Sequence, residues 1–387
     1  VHAVAVVRRA SKPSPRALRR GGLQLCFTGL SMSFDRPLPA LAALGWTERC
    51  SREFAALDLP GDAFAPARVV EQHRHHFVVH DGLETASVEM NPALLQSLRQ
   101  QDDGLSVGDW VVLDRGSDPQ RIAHCLPRSS LLVRGMADGS RQRIVANADC
   151  ALLVMGLDGD YSPNRLERYL LTVRSAGLMP VVLLTKPDRC EDVAARIEEI
   201  QTLAGPSTPV HALDPRHDDV PGRLAPYRSP GTTLVLLGSS GVGKSTCMNA
   251  LLGVSVQKTQ ATREGDDTGK HTTTVRSLRQ LPGGACLIDT PGLRELRLAG
   301  RESVEKDAFD DVAALAAQCR YSDCAHEREP GCAVVAGLPA ERLASYRKLR
   351  DELTALARSP RQMAERKQDK AVHQARKRPR REPGQRP

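Results

Sequence analysis

One stretch constrains this chain more than any other: Gly238-Ser-Ser-Gly-Val-Gly-Lys-Ser245, set between the apolar run Thr232–Leu237 and a segment carrying Cys247, Met248, Leu251 and Leu252 at helical spacing. A strand, a glycine-rich turn and a helix in that order make a loop whose backbone N–H groups converge on phosphate oxygens, and the helix N-terminus adds its partial positive charge. In such a loop Gly238, Ser239, Ser240, Gly241, Val242, Gly243 and Thr246 surround the phosphates. Lys244 neutralises the β- and γ-phosphates, and the Ser245 hydroxyl binds Mg2+. A plain glycine-rich turn is the bland alternative, and the strand before and helix after weigh against it.

A metal held by one hydroxyl needs a carboxylate as well. Cys286-Leu-Ile-Asp289-Thr-Pro-Gly292 is an apolar strand ending in an acid, with glycine three residues on. Asp289 suits the Mg2+ shell and the Gly292 N–H suits the γ-phosphate. Leu183-Leu-Thr185-Lys186-Pro187-Asp188 ends another apolar run. The Asp188 carboxylate can accept from guanine N1–H and the exocyclic amine, which adenine does not offer in that pattern, while Lys186 lies along the base. Thr185 stands where GTPases carry Asn, and His211-Ala212 stands where a Ser-Ala contact to guanine O6 is expected. The base-reading motif precedes the phosphate loop, the reverse of the usual order, so the chain is circularly permuted.

Between the phosphate loop and Asp289 lies Asp266-Asp-Thr-Gly-Lys-His271-Thr-Thr-Thr274. One of Thr272–Thr274, with Thr273 the candidate, completes the Mg2+ shell when the γ-phosphate is present. Leu293 occupies the position just past Gly292 where many GTPases place a water-orienting Gln. His271 can donate or accept and is the candidate for positioning water, against the plainer reading of a solvent-facing loop histidine.

The rest of the chain divides by texture. Residues 1–31 carry six basic side chains and no acid, and 361–387 carry ten basic against three acidic, within a net charge of +8. The body between the tails is therefore net acidic, and the tails read as solvated arms or nucleic-acid contacts. Short alternating runs separated by turn signals from about 66 to 125 suggest a small β-barrel. Buried strands alternating with amphipathic helices from about 145 suggest a parallel sheet covered on both faces. The expected divisions are a basic disordered leader (1–45), a barrel domain (46–130), an α/β nucleotide domain (131–305), a small cysteine-rich domain (306–360) and a basic disordered tail (361–387). No apolar run reaches bilayer length, and the chain reads as cytoplasmic and without a membrane partner.

Cys319, Cys324, His326 and Cys332 place three thiols and an imidazole close together in sequence, a set suited to tetrahedral structural Zn2+ with no open position. So small a unit has little core of its own, and the metal would supply much of its folding energy. Cys50, Cys125, Cys150, Cys190, Cys247 and Cys286 are scattered and read as small core residues. His73, His75, His76 and His80 fall on one stretch of the barrel. A solvated or RNA-facing strand is favoured over a second metal site.

The permuted order, Gly269-Lys-His-Thr-Thr-Thr, the hydrophobic Leu293 and the cysteine cluster resemble the ribosome-small-subunit-dependent GTPases, the RsgA (YjeQ) family. Gly108-Asp-Trp-Val, Leu126-Pro-Arg and Arg165-Leu-Glu-Arg-Tyr-Leu170 add to the match, which runs over about 41–357. The resemblance implies an OB-fold barrel that binds RNA, a permuted α/β P-loop GTPase domain and a C-terminal zinc domain holding one Zn2+ per chain. It also implies GTP hydrolysis with Mg2+, stimulated by the small ribosomal subunit and its rRNA late in subunit maturation, by a monomer. Thr185, His211 and the long leader depart from the family pattern. Two rivals stay open at this point: a GTP-controlled RNA-binding scaffold without turnover, and an ATP-using P-loop enzyme, which Asp188 disfavours.

Overall fold

A computed structural model describes residues 39–60, 63–74, 76–101, 103–136, 140–253, 276–290, 296–300, 302–304 and 309–356. All of them belong to one compact unit. The chain enters it through α1 (Pro39–Ala42) and α2 (Glu48–Ala55), the latter capped by Thr47, whose hydroxyl accepts from the Cys50 N–H. Leu41 and Leu44 are each 1% exposed, so the folded body takes in residues 39–45, which composition had assigned to the leader. The rest of that leader lies outside the described residues.

Five strands then close on themselves: β1 (Phe64–Gln72), β2 (Phe77–His80), β3 (Thr85–Met90), β4 (Trp110–Asp114) and β5 (Arg121–Cys125). The circuit runs β1-β2-β3-β5-β4 and returns to β1, with β3 and β5 parallel and the other pairs antiparallel. Helix α3 (Pro92–Gln100), capped by Asn91 and opened by proline, bridges β3 to β4. This is the expected OB-like barrel. Its interior takes alternate residues, Ala67 and Val69, Phe77 and Val79, Val111 and Leu113, as the two-residue strand period requires. The intervening Val70, Trp110 and Val112 face outward into the core shared with the next layer.

A hairpin of β6 (Leu131–Gly135) and β7 (Arg141–Ala146) leads into β8 (Cys150–Gly156), α4 (Pro163–Ser175), β9 (Met179–Thr185), α5 (Val193–Ala204), β10 (Val210–Ala212), α6 (Val220–Arg223), β11 (Thr233–Leu237), α7 (Lys244–Leu252), β12 (Ser277–Gln280) and β13 (Cys286–Asp289). The sheet order is β10-β9-β8-β11-β13-β12, parallel except for the antiparallel edge β12, which also touches β1 of the barrel through Glu71 and Ser277. Every residue of β8 and β11 is buried. Cys150, Leu152 and Val154 enter one core while Ala151, Leu153 and Met155 enter the other, so the sheet is covered on both faces.

The C-terminal part comprises α8 (Asp310–Ala316), α9 (Ala333–Gly337) and a helix α10 over 340–356. It has a core of its own, including Phe309, Val312, Val334, Leu343, Tyr346 and Leu349, joined by Leu171 of α4. The expectation of a unit almost without a core is thus corrected: α10 supplies the apolar face that the cysteine loop lacks. Among the described residues no helix is long and apolar enough to cross a membrane. The basic tail 361–387 lies outside the described residues.

Candidate nucleotide site and metal centre

In the parallel sheet the connections from β8 run to one side through β9 and β10, whereas β11 and β13 lie on the other. The crevice beyond the carboxyl ends at such a reversal is where ligands bind in open α/β sheets. The phosphate loop follows β11, beside the end of β8. A Cβ on Gly238 would stand 2.3 Å from the Val154 carbonyl oxygen, so only glycine allows that approach. Gly243, with φ 99°, is the N-cap of α7. Lys244 folds back over the loop, and its ammonium donates to the carbonyls of Gly238, at 2.8 Å, and Ser239. Burial lowers the Lys244 pKa, and the charges of Asp289 and Asp160 oppose that shift. Asp289 of β13 is near enough for its charge to act on the ammonium. Ser245 and Thr246 are half-buried in the first turn of α7, and Ser240 and Gly241 are exposed at the loop's tip. Ser245 and Asp289 offer the oxygen donors that Mg2+ prefers. Gly292, Leu293, His271 and Thr272–Thr274, Thr273 included, lie outside the described residues.

The residues expected to read the base follow β9. Lys186 adopts φ 57°, in the left-handed region, and its ammonium lies 2.6 Å from Asp158. Asp188 is half-exposed at the opening, 3.4 Å from Arg216. Thr185 has no exposed surface, and its hydroxyl donates to the Val242 carbonyl at 2.6 Å. Its side chain supports the phosphate loop from beneath. The His211 Nε2 lies 3.0 Å from the Tyr227 hydroxyl.

Motif reading missed the loop after β8. The Asp160 carboxylate accepts from the Ser239 hydroxyl at 2.6 Å and pairs with Arg165 at 2.7 Å. Asp158 accepts from the Asp160 N–H at 3.1 Å, so this loop links base-reading Lys186 to phosphate-loop Ser239. The available signal was a pair of acids just past an apolar strand, the same pattern that singled out Asp289.

At the other end of the molecule, Cys319, Cys324, His326 and Cys332 converge, with all four ligand atoms within 4.8 Å of one another. The Cys319 and Cys332 sulfurs are 3.9 Å apart, and His326 Nδ1 lies 3.6 and 3.5 Å from them. A tetrahedral metal with bonds of about 2.3 Å to sulfur and 2.0–2.1 Å to nitrogen sets ligand separations of roughly 3.5–3.8 Å, so the set could hold a metal ion. Burial raises the Cys319 thiol pKa, but the N–H groups of Val334 and Ala333 and the neighbouring thiols outweigh it and bring the value below the ordinary one. Arg347 donates to the His326 carbonyl at 2.6 Å and holds that strained residue, φ 59°, in place. Of the scattered cysteines, Cys50, Cys150, Cys247 and Cys286 are buried, while Cys125 and Cys190 are only half-buried. His73 and His76 stack at 4.4 Å; among the described residues they form no metal-ligating group. His75 lies outside the described residues.

Followed from β11 through β12 and β13 and then from β8 through β10, the sheet positions come in the order of a nucleotide-binding domain whose chain has been cut and rejoined. The molecule is a circularly permuted P-loop GTPase. The RsgA GTPase family model matches residues 125–299. A protein named small ribosomal subunit biogenesis GTPase RsgA from Xanthomonas axonopodis pv. citri is 45% identical over 333 residues, covering 82% of this chain and 90% of that protein. One of the same name from Xanthomonas campestris pv. campestris strain B100 is 46% identical over 303 residues, covering 76% and 82%. The chain belongs to the RsgA GTPase family and is a GTP hydrolase. In fold it is similar to YjeQ from Thermotoga maritima (TM-score 0.56, 23% identity, 75% of this chain and 99% of that one). It is similar also to YloQ, described as a circularly permuted GTPase (TM-score 0.54, 20% identity, 76% and 96%).

Proposed function

We propose that this GTPase acts in late maturation of the small ribosomal subunit, binding its rRNA and hydrolysing GTP when docked there. The observation that carries the reading is the 45% identity, over 82% of the chain, to a relative named for that role. Lys244 neutralises the β- and γ-phosphates. Ser245 and Asp289 would hold Mg2+, with Thr273 the candidate to complete its shell and Gly292 the candidate contact to the γ-phosphate. Bound Mg2+ offsets the charge that develops on the transferring group. His271 orients the attacking water, since Leu293 has no group for the task. Asp188 reads guanine, with Thr185 fixing the loop beneath. Cys319, Cys324, His326 and Cys332 hold one Zn2+ per chain as a closed structural site. The barrel and the basic tail contact rRNA, the tail through charge. The chain works as a cytoplasmic monomer.

Phosphoryl transfer to water without a completing partner runs on the order of 10⁻⁴–10⁻³ per second, which leaves room for activation on the subunit. Multiple-turnover phosphate release, measured with and without purified small subunits, tests the reading. Stimulation of at least tenfold is expected, abolished by Lys244→Ala. Asp188→Asn should shift preference from GTP to XTP, whose extra carbonyl suits an amide donor. A wild-type rate that small subunits leave unchanged would defeat the docking proposal.

A further inference from the structure

We propose that Arg216 forms one wall of the guanine pocket and stacks its guanidinium on the face of the base. The inference rests on the reading of Asp188 as the guanine-reading residue and extends it. The loop after β10 carries Asp214, Pro215 and Arg216 to the same opening as the loop after β9. Pro215 braces it against the phosphate loop: its Cγ lies 3.8 Å from where a Cβ on Gly243 would be, beside Thr185 at 3.7 Å. Three loops therefore meet here, and Arg216 reaches to 3.4 Å from Asp188.

The guanidinium is held flat. Its Nε lies 2.9 and 3.2 Å from the two Asp214 oxygens and its Nη2 2.6 Å from one of them, while the Arg216 backbone N–H donates to the same carboxylate at 3.0 Å. Hydrogen bonding from Arg216 holds the Asp214 carboxyl down at about 2. The Nη2 group also lies 3.4 Å from Asp188, in a pair that is half-exposed on both sides and is easily exchanged for a ligand. On the neighbouring loop Lys186 is tied to Asp158. A guanine whose N1–H and amine reach the Asp188 carboxylate must then bring its ring beside Arg216. The guanidinium has no acceptor for those donors, and its Nε and Nη2 are already engaged by Asp214. Beyond the Nη1 N–H groups, which lie outside that fork, the guanidinium presents its planar face, which stacks on aromatic rings as an ammonium cannot.

The test uses the full-length chain, with GDP binding by calorimetry and steady-state GTP hydrolysis. Arg216→Ala should weaken GDP binding by about 3–10-fold, the range for an exposed stacking contact of this kind. Arg216→Lys, which keeps the charge and loses the plane, should weaken it nearly as much. KM for GTP should rise by the same factor with kcat changed less than twofold, because a base contact is made equally in ground and transition states. Wild-type affinity in Arg216→Ala, or full rescue by Arg216→Lys, would overturn the stacking role. So would a fall in kcat matching that in affinity, which is what a displaced Pro215 and a disturbed phosphate loop would produce. A wild-type chain that does not bind GDP at all would instead remove the guanine reading on which this inference stands.

Discussion

Two buried polar side chains show how single residues tie the layers together. Arg68 of β1 is 1% exposed and sits 5.1 Å from the centroid of the Trp110 ring. Its guanidinium donates to the Leu44 carbonyl, to the Thr233 hydroxyl at 2.8 Å and to the Asn147 carbonyl at 2.8 Å. Burial lowers its pKa, with the charges of Cys286 and Asp149 opposing. One cation thus joins the entry helices, the barrel and the central strand β11. Thr185 does the same on a smaller scale, since its single hydroxyl proton serves the Val242 carbonyl beneath the phosphate loop. Thr185→Val keeps the shape and strands that carbonyl without its donor, which costs about 1–2 kcal/mol when the group is buried. The nucleotide-free protein should lose that much stability in a denaturant titration. An unchanged midpoint would mean that the hydroxyl does not hold the loop.

Among the elements, α4 has the most partners. Its N-terminal turn carries Arg165, paired with Asp160 and through it with Ser239 of the phosphate loop. One turn on, Glu167 accepts from Arg342 at 3.0 Å and from the Ser345 hydroxyl, while Arg168 pairs with Glu352 at 2.8 Å, and all three partners lie on α10. Arg342 also forks onto Asp311 and lies 4.0 Å from the centroid of the Phe309 ring. Helix α4 therefore touches the nucleotide site at one end and the C-terminal module along its side. Glu167 is 5% exposed, so its pair is screened far less than a surface ion pair. A double-mutant cycle of Glu167→Gln and Arg342→Gln should give a coupling of about 1–2 kcal/mol. Coupling below about 0.3 kcal/mol would leave apolar packing around Leu171 as the whole of the contact.

For the whole molecule, the proposed metal at Cys319, Cys324, His326 and Cys332 would share the stabilisation of the C-terminal module with the α10 core. Because Leu343, Tyr346 and Leu349 also pack with Leu171 of α4, in a core that takes in Cys332, losing the metal should open only part of the module. Elemental analysis should find one zinc per chain. After chelation, or in Cys324→Ser, amide protection should fall by at least about tenfold across 319–337 while α4, β8 and β11 keep theirs. Metal-free protein with full protection over 319–337 would remove zinc from the stability of the fold.

The amino-acid sequence by itself determined whatever is written in consecutive residues. The phosphate loop between its strand and helix, the acid at the end of Cys286–Asp289, the Thr185–Asp188 run after β9 and the Cys319, Cys324, His326 and Cys332 set are all short-range patterns. So is the alternation that sends Ala67 and Val69 inward and Val70 outward. Backbone geometry is local, and a loop that must present N–H groups to phosphate has to carry its glycines in order. Only the tertiary structure decided which distant residues meet there. Ser239 and Asp160 lie 79 positions apart, Arg68 and Thr233 lie 165 apart, and Arg168 and Glu352 lie 184 apart. Arg216 and Asp188 belong to different loops and share an opening because β9 and β10 lie side by side. No local period couples such pairs, and their partners are chosen by strand order and by burial, which excludes water and leaves each polar group only the neighbours the packing supplies.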